Sequence, residues 1–309
     1  MQTILGANGA IARELSKHLA GLTDKVRQVS RNPAPVNATD EVMRADLLNA
    51  EEVRKAVEGS EVTYLVAGLK YDHRVWQDEW PRIMRHVIDA CKSAGSKLVF
   101  FDNVYAYGLV RGVMTEETPY NPCSRKGEVR ARIATDLMDE VKAGNLQAMI
   151  VRGADFYGPQ VPLSLIYSTV VEPLLKGNKP QWIGNPKAVH TFTYTPDAGH
   201  AVAVLGNTPS AYNQVWHALS SHERITGEDL VRMACEAVGR PYGLQRVPKL
   251  GVRVLGLFVP VLKEFVEMMY QFEEDYFFDS SKFQKAFNLQ PTSYRDGISQ
   301  VMKAGLAVK

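Results

Sequence analysis

The sequence predicts a doubly wound α/β fold, a parallel sheet wrapped by helices, with a smaller C-terminal lobe. Three observations carry that prediction. An apolar run, Met1-Gln2-Thr3-Ile4-Leu5, passes without a spacer into Gly6-Ala7-Asn8-Gly9-Ala10-Ile11-Ala12. Strand-like and helix-like apolar patterns then alternate as far as Val151. Beyond that point the texture changes, with Gly158-Pro159, Pro162, Pro173, Gly177, Pro180, Gly184 and Pro186 breaking the chain into short elements.

Each element has its own signal. Gly6 permits a tight turn out of the first strand, and Gly9 lets a backbone approach a diphosphate. The N–H groups that open the next helix carry its partial positive charge, so Gly6, Asn8, Gly9, Ala10 and Ile11 form a candidate dinucleotide-phosphate site. A helix over Ile11–Leu22 would place Ile11, Leu15, His18, Leu19 and Leu22 on one face. Lys25–Ser30 reads as the second strand, and Asn32-Pro33-Ala34-Pro35 as the loop that ends it. Asp46-Leu47 precedes a helix over Ala50–Val57 that Gly59 stops. A strand over Glu61–Ala67 leads to a long helix over Val75–Ala94 with Gly95 as its C-cap. Strand Lys97–Phe101, a loop marked by Pro119 and Pro122, a helix over Lys126–Lys142 closed by Gly144, and strand Leu146–Val151 complete the alternation. Further helices are expected over Asp197–Leu205, returning to the main domain, and over Gly227–Gly239, before a Leu/Val/Phe-rich helical region. The predicted domains are residues 1–160 with a return segment near 190–220, and a lobe of 161–189 with 221–309.

Composition narrows the function classes. The chain has 309 residues, 45% of them apolar, and a net charge of +2, so no global field argues for nucleic acid or membrane partners. Three scattered cysteines, Cys91, Cys123 and Cys235, fit a reducing compartment rather than a disulfide framework. The seven histidines are dispersed and no spacing resembles a metal site. No basic region followed by a long apolar run opens the chain, so no secretory leader is expected. Leu250–Val261, the most apolar later stretch, is interrupted by Arg253 and Pro260 and is too short to span a bilayer. The expectation is a cytoplasmic protein that takes a small-molecule substrate.

Several motifs in order resemble the short-chain dehydrogenase/reductase superfamily, in its extended, NAD-dependent epimerase/dehydratase branch. They are Gly6–Ala12, Asp46-Leu47, Ala67-Gly68, Phe101–Gly108, Arg152–Pro159, Phe192–Asp197, and Phe278–Phe283 followed by Phe287 and Pro291-Thr292. The resemblance implies a Rossmann sheet, a bound dinucleotide and a homodimer formed through helices. The residue ending the second strand selects the cofactor: a carboxylate there accepts the ribose 2′-OH, whereas an arginine suits a 2′-phosphate. Here the strand ends Gln28-Val29-Ser30-Arg31-Asn32, so NADP(H) is favoured, with NAD(H) as the alternative and a solvated surface role as the plain reading of Arg31. Asp46, with Leu47, resembles the family aspartate beside the adenine; capping of the following helix is its other reading. Ala67, Gly68 and Leu69 would pass the ribose and phosphate.

The implied chemistry needs a Tyr proton donor, a Lys four residues on, and a Ser or Thr that fixes the substrate oxygen. Asn103 stands in the Ser/Thr place, Lys126 in the Tyr slot and Arg130 in the Lys slot. None of the 13 tyrosines has a Lys four residues later, so no change of register restores the pair. Three readings stay open. Lys126 replaces the tyrosine beside the cofactor, since lysine and tyrosine have ordinary pKa values of about 10. Another hydroxyl, from Tyr105, Tyr107 or Tyr157, acts instead. Or the protein binds a dinucleotide as a sensor or regulator without catalysis. For Lys126 and Arg130 the plain alternative is an exposed pair on a surface turn with Glu128.

In the lobe, Arg152 resembles a structural arginine at the active-site floor, and Tyr157, Trp182, His190 and Phe192 are candidates to line a pocket. Core packing is the alternative for Trp182 and Phe192. The stretch offers Lys176, Lys179 and Lys187 but no Arg to clamp a diphosphate, which favours a small or apolar carbonyl/hydroxyl substrate over a nucleotide sugar. The predicted function is thus an NAD(P)-dependent oxidoreductase or epimerase/dehydratase-like protein with a non-standard proton donor.

Overall fold

Near-continuous apolar runs such as Gln2–Leu5 and Lys97–Phe101 bury both faces, as strands do in the middle of a parallel sheet covered by helices. The computed structural model describes residues 1–307. In chain order the elements begin with β1 (Gln2–Leu5), α1 (Ala10–Leu19), β2 (Val26–Ser30), β3 (Glu41–Arg44), α2 (Ala50–Val57), β4 (Val62–Leu65), α3 (His73–Ala94) and β5 (Lys97–Asp102). A 3-10 turn (Tyr105–Tyr107), β6 (Val113–Met114), α4 (Arg125–Lys142), β7 (Ala148–Arg152) and β8 (Asp155–Tyr157) follow. Then come a π turn (Tyr167–Val171), α5 (Glu172–Lys176), β9 (Gln181–Ile183), β10 (Phe192–Tyr194), α6 (Thr195–Gly206), β11 (Val215–His217) and α7 (Gly227–Ala237). The chain ends with β12 (Gln245–Val247), α8 (Lys249–Leu255), α9 (Pro260–Phe265), α10 (Tyr270–Glu273), β13 (Phe277–Phe278), α11 (Ser281–Phe287) and α12 (Tyr294–Ala307).

The chain divides into two compact units. Unit 1 comprises Met1–Ala106, Arg125–Gly153 and Ala198–Ala218, and unit 2 comprises Tyr107–Ser124, Ala154–Asp197 and Leu219 onward. Unit 1 holds a seven-stranded sheet in the order β11-β7-β5-β4-β1-β2-β3, with every neighbouring pair parallel. Strand order reverses between β1 and β4, and right-handed crossovers therefore put α1 on one face and α2, α3 and α4 on the other. The doubly wound expectation holds, and it leaves a crevice beyond the strand ends at the reversal point, where α/β sheets bind ligands.

Local chemistry sets the element ends. Asn49 caps α2 through Glu51 and Glu52 N–H, and Asp72 caps α3 through Arg74 N–H, so α3 starts two residues before the expected Val75. Gly95 closes α3 in the left-handed region at φ 66°. Helix α1 ends at Leu19 rather than Leu22, and Leu22 is half exposed instead of sharing the buried face. The expected strand Glu61–Ala67 keeps only Val62–Leu65, because Ala67 belongs to the turn that meets Gly6.

Unit 2 carries three parallel two-stranded pairs, β8 with β10, β9 with β12 and β6 with β13. Its core gathers Tyr157, Trp182, Phe192, Tyr194, Leu230, Val231, Tyr294 and Ile298. The Leu/Val/Phe-rich region is not one helix: Gly256 and Pro260 split it into α8 and α9, followed by a 3-10 turn and α10. Met268, Met269 and Phe272 there are core residues. Among the described residues, no helix is long and apolar enough to cross a membrane.

Candidate functional site

The turn between β1 and α1 is built for close approach. Gly6 sits at φ +105°, and a Cβ on it would lie 2.5 Å from the Ala67 backbone, so only glycine fits between the β1 and β4 ends. Gly9 is the N-cap of α1 and supplies no side-chain cap; no acidic residue occupies the first turn. The first N–H groups of this ten-residue helix, at Ala10 and Ile11, are therefore left without a side-chain cap or an acid in the first turn to answer their positive partial charge. Gly68 is exposed with open space around it. Asn8, at φ 74°, serves a structural role, since its Nδ2 donates to Asn32 O at 2.6 Å and its Oδ1 accepts Ala34 N–H at 3.1 Å. It ties the loop after β2 to the glycine turn.

That loop borders an open cleft of about 660 Å³ lined by Arg31, Asn32, Arg44, Ala45, Asp46 and Glu52. Parallel register pairs Ser30 with Arg44, which brings Arg31 and Arg44 to the same corner. Ser30 Oγ is buried with no hydrogen-bond partner. Asp46 accepts Leu48 N–H at 3.0 Å, and Asn49 rather than Asp46 caps α2, so the capping alternative for Asp46 fails. Leu47 is buried and its carbonyl meets His86 Nδ1 at 3.0 Å. An uncapped helix start and a glycine cradle fit a dinucleotide, and the cleft beside them carries two guanidiniums and two carboxylates. Arg44 was not among the residues singled out from sequence; only strand pairing places it beside Arg31.

At the ends of β5 and β7 the structure assembles a buried charge cluster. Asp102 Oδ1 accepts from Arg130 Nε and Nη2, both at 2.6 Å, and Oδ2 accepts from Arg152 Nε at 3.2 Å. All three side chains are buried. The Arg130 guanidinium also lies 4.4 Å from the Trp80 ring, 5.0 Å from Phe100 and 5.6 Å from Trp76. Lys126, one turn earlier on α4, is fully buried, with Nζ 4.6 Å from the Tyr71 ring centre. The exposed-pair alternative for Lys126 and Arg130 is therefore wrong. Tyr71 meets Trp76 edge-on at 5.9 Å, and Tyr105 stacks on Trp76 at 6.1 Å. Asn103 Oδ1 accepts Tyr105 N–H at 3.0 Å, which fixes the 3-10 turn and leaves Nδ2 as the group that can donate.

Sequence reasoning missed Asp102 as the hub and the aromatic layer of Tyr71, Trp76 and Trp80. The available signal for Asp102 was an acid at the end of an otherwise apolar strand, since a buried carboxylate requires cations.

The remaining candidates lie inside unit 2. Tyr157, Trp182 and Phe192 are core residues, and burial pushes the Tyr157 hydroxyl well above the ordinary tyrosine range, so it keeps its proton. Tyr107 is buried beside Tyr120, 6.2 Å away. His190 is buried in a stack with Phe192, Phe272 and Tyr276 at 4.5–4.7 Å, and its Nε2 meets Asp155 Oδ2 at 3.0 Å.

Solved structures of the same fold include UDP-glucuronic acid 4-epimerase from Bacillus cereus in complex with NAD, 17% identical over all of both chains with a TM-score of 0.82. UDP-glucose 4-epimerase of Thermus thermophilus in complex with NAD is 17% identical over 98% of each chain, with a TM-score of 0.79. A double mutant of the dTDP-glucose 4,6-dehydratase DesIV from Streptomyces venezuelae, with NAD bound, is 17% identical over 98% of this chain and 97% of its own, with a TM-score of 0.78. No curated protein sequence matches at a significant level. The profile of the NAD dependent epimerase/dehydratase family matches residues 3–216, which span unit 1 from β1 to β11. The chain belongs to the NAD-dependent epimerase/dehydratase family.

Proposed function

We propose that the protein is an NADPH-preferring oxidoreductase-like member of this family, acting on a small carbonyl or hydroxyl substrate with Lys126 as its proton donor. The observation that carries the reading is Lys126 itself: a buried ammonium held against Tyr71, one helical turn from a guanidinium locked to Asp102. When bound, the dinucleotide supplies the hydride chemistry. Gly6, Gly9, Ala10 and Ile11 would receive its diphosphate, with Ala67, Gly68 and Leu69 along the ribose. Asp46 and Leu47 would stand by the adenine, and Ser30, Arg31 and Arg44 would meet a 2′-phosphate. No carboxylate ends β2, and Arg31 and Arg44 line the cleft beside it along with Asp46 and Glu52; the missing carboxylate and the two arginines support the phosphate reading.

The chain's own residues supply the rest. Asp102 holds Arg130 and Arg152 at the strand ends with Lys126 one turn away, and cationic donors so placed would favour a substrate oxygen gaining negative charge. Lys126 Nζ holds the proton that oxygen receives. Arg130, in the place of the family lysine, acts as a positioning residue, because Asp102 and the aromatic layer engage its guanidinium. Asn103 Nδ2 can donate to the substrate oxygen, and the Tyr105 ring steadies the Trp76 face.

Fluorescence titration with NADPH and NADH, then turnover on a panel of small aldehydes and ketones with UDP-glucose included, tests this. Lys126→Ala should keep NADPH binding and lose about 100-fold or more of turnover, the usual contribution of general acid catalysis. Unchanged turnover would remove Lys126 from the chemistry. Tight NADPH binding with no turnover by the wild type would assign the protein as a dinucleotide-binding regulator, and no binding of either nucleotide would defeat both readings.

A further inference from the structure

The α8–α9 segment of unit 2 carries apolar side chains in both directions. Inward, Val252 packs with Ile183 and Met269, backed by Val247, Leu262, Phe265 and Val266. Outward, Leu250 is 71% exposed, Leu257 79%, Phe258 81% and Val261 53%, with Val254 and Leu255 about half exposed beside them. The inner set packs the segment onto unit 2, together with the β9–β12 pairing that precedes α8. The outer set stands in solvent. Leu257 and Phe258 form the tip where Gly256 and Pro260 turn the chain from α8 into α9.

Charge identifies the surface this tip fits. Residues 245–263 contain four cations, Arg246, which donates to the Gly184 carbonyl, Lys249, Arg253 and Lys263, and the first carboxylate, Glu264, comes only at the far end of α9. Arg253 and Lys263 are exposed on either side of the tip in sequence. The whole-chain charge of +2, on which no membrane partner was expected, averages over this strongly basic segment. A symmetric contact with a second copy would set the same cations against themselves, and lysine is depleted at protein interfaces. An apolar tip flanked in sequence by Lys and Arg instead matches an anionic lipid surface, where side chains enter the acyl boundary and the cations meet headgroups. Each helix here is too short to span a bilayer, so the segment would lie on the membrane rather than cross it.

We propose that the α8–α9 tip docks this protein on an anionic phospholipid surface, with Leu250, Leu257, Phe258 and Val261 inserted and Lys249, Arg253 and Lys263 at headgroup level.

Co-sedimentation of the full chain with vesicles provides the test, using phosphatidylcholine alone and an equimolar mixture with phosphatidylglycerol. The wild type should sediment with the mixed vesicles and much less with phosphatidylcholine, and added salt should weaken binding. Leu257→Ser and Phe258→Ser should each reduce the partition coefficient about tenfold or more. Arg253→Ala and Lys263→Ala should each reduce it about fivefold. All four side chains face solvent, so circular dichroism should show all four variants folded. As a second readout, Phe258→Trp should blue-shift in its emission on adding mixed vesicles. Wild-type protein left in the supernatant with mixed vesicles, or a Leu257→Ser/Phe258→Ser double variant that binds as the wild type does, overturns the proposal. So does a dimer in sedimentation velocity that this double variant dissociates, which would make a second copy the occupant.

Discussion

Replacing Asp102 by Asn isolates the charge at the centre of unit 1, because the side chain keeps its volume and one acceptor. In the wild type two guanidiniums converge on this carboxylate, Arg130 at 2.6 Å and Arg152 at 3.2 Å, with side-chain exposures of 4% and 0% around a fully buried acid. Water screens none of these contacts. After the substitution both cations stay buried, since Arg130 remains layered against Trp80 and Phe100, while the new amide N–H faces guanidinium N–H groups. Removing one partner of such a buried pair costs about 3–5 kcal/mol, against a total stability of about 5–15 kcal/mol for a typical domain. Urea unfolding followed by tryptophan fluorescence reads this well, as Trp76, Trp80 and Trp216 all belong to unit 1. The midpoint should fall by a large fraction with little change in slope. Adding Arg130→Met to Asp102→Asn should cost less than the sum of the two single changes, because the second change removes one of the cations left uncompensated. A loss below about 1 kcal/mol for Asp102→Asn would show that the cluster is solvated or redundant, and would refute the role of Asp102 as the hub that holds Arg130 and Arg152.

Arg31→Ala and Arg44→Ala should each weaken NADPH binding by about tenfold or more, the worth of a hydrogen bond to a charged group, while NADH affinity changes little; equal losses for both nucleotides would sink the 2′-phosphate assignment. Gly6→Ala places a Cβ 2.5 Å from the Ala67 backbone at φ +105°, and should lower stability by about 2 kcal/mol or more along with dinucleotide affinity. A melting temperature equal to that of the wild type would contradict the close approach of the two turns. Burial pushes the Cys91 thiol up to about 12 and holds the hydroxyls of Tyr64, Tyr157, Tyr212 and Tyr294 above the ordinary tyrosine range. The folded state thus keeps protons that the unfolded chain releases. Their contribution is complete below the unfolded values, about pH 9 for the thiol and about pH 10 for the phenols, and is lost as pH rises through the folded ones. Melting temperature should decline steadily above about pH 9; a flat profile through the phenol range would contradict the burial of these groups.

The alternation of strands and helices and the glycine turn were legible because their causes are local. Gly6 and Gly9 declare themselves by spacing, and Gly95 and Gly144 act within a few residues of the ends they define, whereas the α2 cap was sought at Asp46 and lies at Asn49. The charge cluster was not legible, because Asp102 meets Arg130 and Arg152 across 28 and 50 residues and only the parallel order β4-β5-β7 brings them together. Ser124-Arg125-Lys126-Gly127-Glu128-Val129-Arg130 reads as a polar surface turn, yet Lys126 and Arg130 are buried. Aromatic rings and a carboxylate, supplied by α3, β5 and the loop before α3, accept their charge.

Leu250–Val261, read from sequence only as a helical stretch too short to span a bilayer, is largely exposed: a helix seven residues long can bury little, and in α8 only Val252 is fully enclosed. The exposure of the one and the burial of the other have one physical origin. Burial is decided by what stands opposite a side chain, and a sequence shows the side chain without its partner. The departures from composition are consequently the places to look for function. Cations are held inside unit 1 at the strand ends, and apolar groups stand exposed on unit 2.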